Sequence, residues 1–522
     1  MDSLNSIGQR LVAELQHANT ADDADQRLIA KSEKVNVVGA GGTLTAAYEQ
    51  LRNAAENTEE HLLLQNAIRR FYKQLFVARD ESLVKASGNE LAIELTFAGY
   101  IANDSVTKAQ LGHISALASS HYDAYEQLQK RRAISGETSS KWVLDTLAVK
   151  VEGVLNSHRR DTAFIDFSYN YLEQIITPES LTVQHTKEEY SAALFAAIHR
   201  ALLKSNTAVV RTALLERYQV GVDQLEHYVN LNKMIDTLLA SKISDELHHA
   251  VDRQGAPLRI VRRMIEDRSD ITAILPRREV FLEAFEQQTN KEYASIGRRI
   301  NRAIVRSVIF LIITKFLIGI AIEVPYDLWA HGAILWQPLL INLAFPPLYM
   351  VALRLTHALP GYANTAALID RIDTMLYGQK TVLVKKPTTG RRYGPIFSSV
   401  YVVMSLLVFG GVMWALLMLG FALVHIVIFF IFISAASFLG FRLSRLIREL
   451  EIVRSSSNGL TFVRDIVYLP FVVVGRWMSD TYSQVNVVTI VLDMLIELPL
   501  KTVLRLVRQW GAFIDDRKDK IV

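Results

Sequence analysis

Three polar side chains lie within long apolar stretches of this sequence: Lys315, Glu323 and Asn342. A cation near the middle of a bilayer costs about 3 kcal/mol on insertion scales, so Lys315 should face protein, water or a partner rather than lipid. The three residues could therefore line an ion or substrate path. Alternatively, Lys315 extends to the cytoplasmic surface or stabilises helix packing, and we favour this second interpretation.

The spacing of Lys315 and Glu323 argues against a direct pair between them. They are eight residues apart, which corresponds to about 80° around an α-helix. We therefore expect Lys315 to contact Asn342 in the next apolar stretch, or a charged residue of the carboxy-terminal region.

A second polar set follows Val485, where charged residues recur on one face of an otherwise apolar helix. Its members are Asp493, Glu497, Lys501, Arg505 and Arg508. Such a stripe is typical of a helix that lies in the membrane interface or packs its polar face against protein. We expect residues 442–522 to form cytoplasmic or interfacial amphipathic helices and a charged tail, with a fifth and a sixth span as the alternative.

No arrangement of residues typical of an enzyme site is present in the sequence. Residues 35–43 resemble a strand followed by a glycine turn, but the third glycine and the lysine of nucleotide-binding loops are missing. Residues 14–17 and 246–249 have the Glu and His spacing of half a di-iron site, within strongly polar stretches. The absence of cysteine excludes thiolate metal sites. We predict no catalytic, cofactor-binding or metal-binding residues, and hence a protein that is not an enzyme.

The polar residues must be positioned by the apolar segments. Residues 395–441 form a run of 47 residues without a charged side chain. Because about 20 helical residues cross a hydrocarbon core, this run predicts a transmembrane hairpin. Residues 304–354 predict an earlier hairpin, and the basic residues 355–394 between the two are expected to form a cytoplasmic loop.

Basic residues at the ends of these segments predict the topology. Seven arginines lie at the expected depth of anionic lipid headgroups: Arg298, Arg299, Arg302, Arg306, Arg442, Arg445 and Arg448. The connection 324–334 contains no lysine or arginine. The positive-inside rule therefore predicts four spans with both termini in the cytoplasm, in a plasma or inner membrane.

Residues 1–303 show helical periodicity almost throughout. One example places Leu64, Ile68, Phe71 and Leu75 on one face of a helix. The fold class predicted for the whole chain is all-α, with a large helical cytoplasmic bundle followed by a polytopic α-helical membrane domain. A five-residue repeat, at 47–51 and 124–128, leaves a solenoid-like array as an alternative for the bundle.

The charge distribution separates the two regions. Residues 304–522 contain 21 Lys and Arg against 13 Asp and Glu, which leaves 36 against 40 in residues 1–303 of the totals of 57 and 53. A mildly acidic soluble region disfavours nucleic-acid binding. The first thirty residues contain Asp22, Asp23 and Asp25 and lack the apolar core of a secretory signal.

These features indicate an integral membrane protein but no specific activity. The leading hypothesis is a scaffold, assembly or regulatory protein whose cytoplasmic helical domain binds a protein partner. One alternative is a transporter or channel, acting as a homo-oligomer, that uses Lys315, Glu323 and Asn342. Another is a membrane-shaping protein that acts through its carboxy-terminal amphipathic helices.

Overall fold

The computed structural model describes residues 3–37, 49, 62–131, 135–356, 359–378, 395–453 and 459–484. Within these ranges the protein is all-helical, as predicted, and the only extended pairing is an isolated bridge between Lys34 and Thr107. Its contacts divide the chain into two compact units. Of the described residues, the membrane unit comprises 3–5, Ile175–Thr182 and 252–484, and the amino-terminal unit comprises Ser6–Gln174 and Val183–Val251.

The amino-terminal unit is built from ten helices and the start of an eleventh among the described residues. The helices are α1 (Ser6–Lys31), α2 (Leu63–Ala78), α3 (Glu81–Lys85), α4 (Ser87–Phe97), α5 (Lys108–Gln129), α6 (Gly136–Leu155), α7 (Arg159–Ile175), α8 (Lys187–Leu202), α9 (Thr207–Arg217), α10 (Leu225–Leu239) and α11 (Lys242–Asp267). Helix α6 is central, because α2, α5 and α9 all pack against it. Its start is fixed by Ser135, whose hydroxyl accepts the N–H of Thr138.

A buried ionic network lies in the core of this unit. The guanidinium of Arg211 is fully buried and donates to Asn232 at 2.8 Å and to Asp236 at 2.5 Å. The indole N–H of Trp142 donates to the other oxygen of Asp236 at 2.8 Å. Asp145 lies 3.0 Å from the guanidinium of Arg69. Periodicity alone gives no signal for such a network, since Arg211 lies on a helix that reads as an ordinary amphipathic segment.

Two histidines of the amino-terminal unit are buried as neutral rings. Burial lowers the pKa of His121 to about 4, although Nδ1 lies 2.7 Å from the Leu117 carbonyl oxygen. Burial likewise lowers the pKa of His199 to about 4, and this ring packs against Phe195. Both side chains therefore favour the uncharged form in the folded protein.

The membrane unit contains the end of α11 and eight further helices among the described residues. They are α12 (Ile271–Ile274), α13 (Arg278–Ile318), α14 (Val324–His331), α15 (Trp336–Thr356), α16 (Tyr362–Tyr377), α17 (Pro395–Met418), α18 (Leu423–Arg448) and α19 (Gly459–Gln484). A π-helical turn at Gly319–Glu323 joins α13 to α14 without a break, and we call the whole of Arg278–His331 the long helix.

Four helices are long and apolar enough to cross a membrane: Arg278–His331, Trp336–Arg354, Ile396–Met418 and Leu423–Arg448. These are the four apolar helices that the sequence predicts, and Gly420, with φ of +79°, lies in the turn between the last two. Large apolar side chains such as Phe310, Phe316 and Leu406 are more than half exposed on them. A soluble protein rarely exposes so large an apolar area, whereas lipid would cover it.

The four apolar helices have two distinct ends. We call the end marked by Arg306 and Arg442 the arginine end, and the end marked by Gly332 and Gly420 the turn end. Arg354 also belongs to the arginine end, since its Nε donates to Asn301 at 2.8 Å.

Part of the predicted loop 355–394 is a helix. Helix α16 buries Leu368, Ile372 and Leu376, and Arg278 of the long helix makes a two-pronged ion pair with Asp373 at 2.7 and 2.8 Å. The charges in this stretch suggested a loop, but its apolar residues recur every four positions and form a buried face. Residues 379–394 lie outside the described part of the chain.

Contacts also shift the boundary that the sequence predicts at residue 303. That position marks only the start of the apolar run, whereas the contacts group the described residues of Asp252–Val485 with the apolar helices. The side chain of Asn364 illustrates why, because it donates to the Tyr293 hydroxyl and the Leu450 carbonyl and accepts from the Ile452 N–H. One side chain thereby joins α16, the long helix and the segment that follows α18.

Helix α19 packs along α18 rather than away from it. The Tyr468 hydroxyl donates to the Ser437 carbonyl at 2.8 Å, and Gly475 lies against the backbone of Ser434. Since position 468 meets 437 while 475 meets 434, the two helices are antiparallel. The sequence predicts an interfacial position for residues 459–484, but they lie alongside an apolar helix.

Candidate functional site

Five polar side chains lie close together in the interior of the membrane unit, each at most 2% exposed. They are Lys315, Glu323, Asp327, Asn342 and His425, and we call them the polar cluster. The long helix supplies three of them, α15 supplies Asn342 and α18 supplies His425. Ionisable side chains buried among apolar helices are costly, and they are retained for function or for specific packing.

Lys315 and Glu323 form a direct ion pair, contrary to the sequence-based expectation. The ammonium of Lys315 donates to Oε1 of Glu323, and both side chains are almost fully buried. The expectation assumed an uninterrupted α-helix. The π-helical turn at Gly319–Glu323 takes up about one extra residue, so the separation of eight behaves like seven, or about two full turns.

The origin of this turn can be read from Pro325. Proline has no N–H, and its ring collides with the carbonyl four residues earlier, here that of Ala321. A widened turn relieves the collision, and the N–H of Val324 donates to the carbonyl of Gly319, five residues back. The proline therefore brings Lys315 and Glu323 to the same side of the long helix.

Asn342 connects this pair to α18. Its amide Nδ2 donates to Oε1 of Glu323 at 3.2 Å and to the backbone carbonyl of His425 at 3.2 Å. Lys315 also lies 5.0 Å from the centre of the Phe432 ring, a favourable cation–π position. The contact expected between Lys315 and Asn342 is thus made indirectly, through the carboxylate of Glu323.

Asp327 and His425 extend the cluster toward the turn end. Nε2 of His425 lies 3.4 Å from Oδ1 of Asp327, and both side chains are fully buried. The other oxygen, Oδ2, accepts the N–H of Leu335 at 3.0 Å, just before α15 begins. His331, which is partly exposed, lies 3.9 Å from the same carboxylate. Asp327 is one helical turn beyond Glu323, so the two carboxylates share a face of the long helix.

Several atoms of the polar cluster have no hydrogen-bond partner among the described residues. They are Glu323 Oε2, Asp327 Oδ1, Asn342 Oδ1 and both ring nitrogens of His425. Unpartnered buried polar atoms are rare in folded proteins because each costs about 1–3 kcal/mol. Three of these atoms are oxygens of the kind that bind small hard cations.

The polar cluster lies in the half of the apolar helices that is nearer the turn end. Lys315 lies near the middle of the apolar run 305–322, and the cluster continues from there to His331 at the turn end. Toward the arginine end, the long helix, α15 and α18 are joined mainly by apolar side chains, among them Ile304, Leu311, Met350 and Leu353. Two polar contacts add to these: Tyr349 with Ser437 at 2.9 Å and Arg354 with Asn301 at 2.8 Å.

The predicted headgroup contacts occupy one region of the membrane unit. Arg298, Arg299, Arg302, Arg306, Arg442, Arg445 and Arg448 are all exposed. They lie at or beyond the arginine end, where the sequence places anionic headgroups. The predicted polar stripe of Asp493, Glu497, Lys501, Arg505 and Arg508 lies outside the described residues and remains a prediction. In the part of the chain that is described, no group of three or more His, Asp or Glu side chains could hold a metal ion.

The sequence predicts three members of the polar cluster, namely Lys315, Glu323 and Asn342. It does not predict that Asp327 and His425 lie beside them. Asp327 lies in the connection 324–334, and His425 lies near the middle of the run 395–441, where the sequence predicts the turn of a hairpin at the level of the headgroups. One signal is present: His425 is the only side chain with an ordinary pKa near neutrality within the 47 uncharged residues 395–441. The relative height of the long helix and α18 brings Asp327 beside His425. The hydrophobic periodicity of the sequence carries no information about this height.

Comparison with known proteins gives no assignment: no protein family, no curated protein and no solved structure matches this chain.

Proposed function

We propose that the protein is a membrane transporter or channel subunit that moves a proton or a small cation through the polar cluster. The observation that supports this proposal is the series of buried polar side chains from Lys315 through Glu323 to Asp327 and His425. Chains of Asp, Glu and His within apolar helices are a recurrent means of moving protons and cations. Completing a path with so few helices requires a homo-oligomer.

In this proposal the ammonium of Lys315 acts as a built-in cation. An arriving proton or metal cation enters from the turn end, where Asp327 and His425 lie nearest the surface. It then competes with Lys315 for the carboxylate of Glu323. The unpartnered oxygens of Glu323 and Asn342 supply ligands for a cation. Release requires the apolar contacts at the arginine end to open, and the long helix is the element that reaches through them.

The test is flux into proteoliposomes under an imposed membrane potential, with one internal dye for protons and another for sodium. We expect uptake by the unmodified protein, and its loss in Lys315→Met and Asp327→Asn. Thr314→Val is the matched control, since this hydroxyl bonds only to carbonyls of its own helix. Uptake equal to that of protein-free vesicles with both dyes would contradict the proposal, and the responding dye identifies the cation.

A second function, partner binding by a cytoplasmic helical region, is favoured by a different observation. Helix α13 runs without interruption for 41 residues from Arg278 to Ile318. A force that a bound partner exerts on the first half of this helix is therefore transmitted directly to its apolar second half. A scaffold or regulatory protein would use such an element to hold a partner at the bilayer. Crosslinking in native membranes should then return one defined protein. Recovery of no partner, from a chain that is stably inserted, would count against this function.

The proposed topology places the amino terminus and the arginine end in the cytoplasm of a plasma or inner membrane. The seven exposed arginines support it, because lysine and arginine are retained on the cytoplasmic side. Single cysteines can test it, since the chain has none of its own. A cysteine at Arg299 should react with an impermeant maleimide only after the membrane is opened. One at His331 should react in intact cells, and the reverse result would invert the topology.

A further inference from the structure

Helix α19 carries charged side chains at a depth where lipid would surround them. Gly475 lies against Ser434 of α18, and the uncharged part of α18, residues 423–441, has its midpoint at Phe432. The next residue along α19, Arg476, is therefore within about one helical turn of the middle of the span, and Asp480 lies about 6 Å further toward the turn end. Their side chains are 74% and 64% exposed.

Lipid is an unsuitable neighbour for this pair. Each charge at mid-membrane costs about 2.5–3.5 kcal/mol on insertion scales. The two side chains face each other at 3.5 Å, which offsets part of this cost. A protein surface that supplies opposite charges removes this cost. The exposure of Arg476 and Asp480 therefore marks an interface.

The apolar residues around the pair have the spacing of a helix–helix contact. Leu469, Val473, Arg476 and Asp480 follow one another at steps of four, three and four, and all four side chains point away from α18. The opposite face of α19 is already occupied, since Phe471 is buried against Phe409 and Phe430. A stripe with this spacing fits the groove of one further helix that runs along α19.

We propose that this stripe is the contact surface for a second copy of the chain, formed by α19 against α19 about a twofold axis along the membrane normal. Arg476 and Asp480 are opposite in charge and one turn apart, so they are complementary to themselves across such an axis. Each residue lies at the same height as its own counterpart across this axis. Because the guanidinium of Arg476 reaches one turn along its helix to the level of Asp480, it lies beside the aspartate of the other copy, and two reciprocal pairs form. Val473 and Leu469 pack against their counterparts beside the charged pairs.

This interface is independent of the transport proposed above, although it supplies the homo-oligomer that transport requires. Crosslinking reports on it without any measurement of flux. A failure of one proposal can therefore be distinguished from a failure of the other.

The first test is cysteine crosslinking of the full chain in native membranes. Val473→Cys should give a covalent dimer on oxidation, because the two positions face each other across the axis. Leu406→Cys, on an apolar position of α17 that is 65% exposed against 54% for Val473, is the matched control and should give at least about tenfold less dimer. A monomer alone at position 473 would overturn the proposal. So would a crosslink to another protein, or to residues 485–510 of the same chain.

The second test uses charge reversal with two differently tagged copies. Arg476→Glu and Asp480→Arg are each combined with Val473→Cys. Each variant expressed alone should lower the yield of crosslinked dimer at least about tenfold, since like charges then meet across the axis. Co-expression of the two variants should restore a mixed dimer, because two acidic side chains of one copy then meet two basic ones of the other. A contact within one chain cannot produce this rescue. Its absence, with both variants stably inserted, would overturn the twofold interface.

Discussion

The ion pair of Lys315 and Glu323 makes a sharp prediction about stability. Both side chains are almost fully buried, so removing one partner leaves a charge in an apolar interior, which typically costs 3–5 kcal/mol. Lys315→Met leaves the carboxylate with one amide donor, from Asn342. Glu323→Gln leaves the ammonium with a weak amide acceptor and the ring of Phe432. We expect each single substitution to lower the free energy of unfolding by about 3–5 kcal/mol.

The double variant Lys315→Met/Glu323→Gln should be more stable than either single one. With both charges gone, the methionine packs among apolar neighbours and the glutamine keeps its contact to Asn342. Replacing a buried pair by neutral groups is often close to neutral, so we expect a loss of no more than about 2 kcal/mol. The two single losses sum to about 6–10 kcal/mol, and the double variant loses no more than about 2 kcal/mol. The coupling energy between the two sites is therefore at least about 4 kcal/mol.

The assay is equilibrium unfolding in mixed micelles of a mild detergent and dodecyl sulfate, followed by tryptophan fluorescence. Thr314→Val, on the same helix, provides the baseline for a polar change that breaks no cluster contact. Single losses below about 1 kcal/mol that simply add in the double variant would refute the reasoning. That outcome would mean that the π-helical turn does not bring the two side chains together.

Three further predictions concern other parts of the chain. Folding lowers the pKa of His121 and His199 to about 4 from about 6.5, so the unfolded chain binds more protons than the folded one below pH 6.5. The free energy of unfolding should therefore fall as the pH drops from 6.5 to 4, by about 1.4 kcal/mol per pH unit for each histidine. His199→Gln should reduce this slope in acid unfolding curves. Gly475→Val should detach α19, because a Cβ there would lie 2.2 Å from the Ser434 carbonyl oxygen; limited proteolysis should then cleave α19 faster, whereas an unchanged pattern would contradict the packing. Asn364→Ala removes two donated and two accepted hydrogen bonds and should cost about 2–4 kcal/mol in detergent unfolding; a loss below about 1 kcal/mol would show that these bonds contribute little.

The sequence predicts the parts of the fold that depend on composition and period. The apolar run 395–441 and its glycine turn are clear, because a bilayer demands long uncharged helices. Helix α16 was missed although Leu368, Ile372 and Leu376 recur every four residues, because the charges in the same stretch favoured a loop. The position of α19 was missed because Arg464 and Arg476 interrupt its apolar residues, and only its contacts with α18 reveal its depth.

The polar cluster shows where sequence reasoning stops. Hydropathy alone identifies Lys315 as a residue that needs a partner, since a lone cation in an apolar run is costly. Its actual partner depends on the local collision between Pro325 and Ala321, which changes the helical phase that the spacing rule assumes. The contact of Asp327 with His425 depends on the relative height of two helices. Neither the change of helical phase nor the relative height of the two helices can be predicted from a hydrophobic period of 3.6 residues.

The extra residue in the π-helical turn determines which deletions the long helix can tolerate. Deleting one residue among 320–322 would convert the turn to α-helix and leave Lys315 and Glu323 seven apart, about 20° short of two full turns. The two halves of the long helix would keep nearly the same rotation relative to each other, so each would still present the same side chains to its neighbours. A single deletion at Ile312 or Ile313 would instead rotate everything on one side of it by about 100° and expose a charged group to lipid. Within the first span, natural length variants of this protein should therefore carry their insertions and deletions at the π-helical turn more often than at any other position.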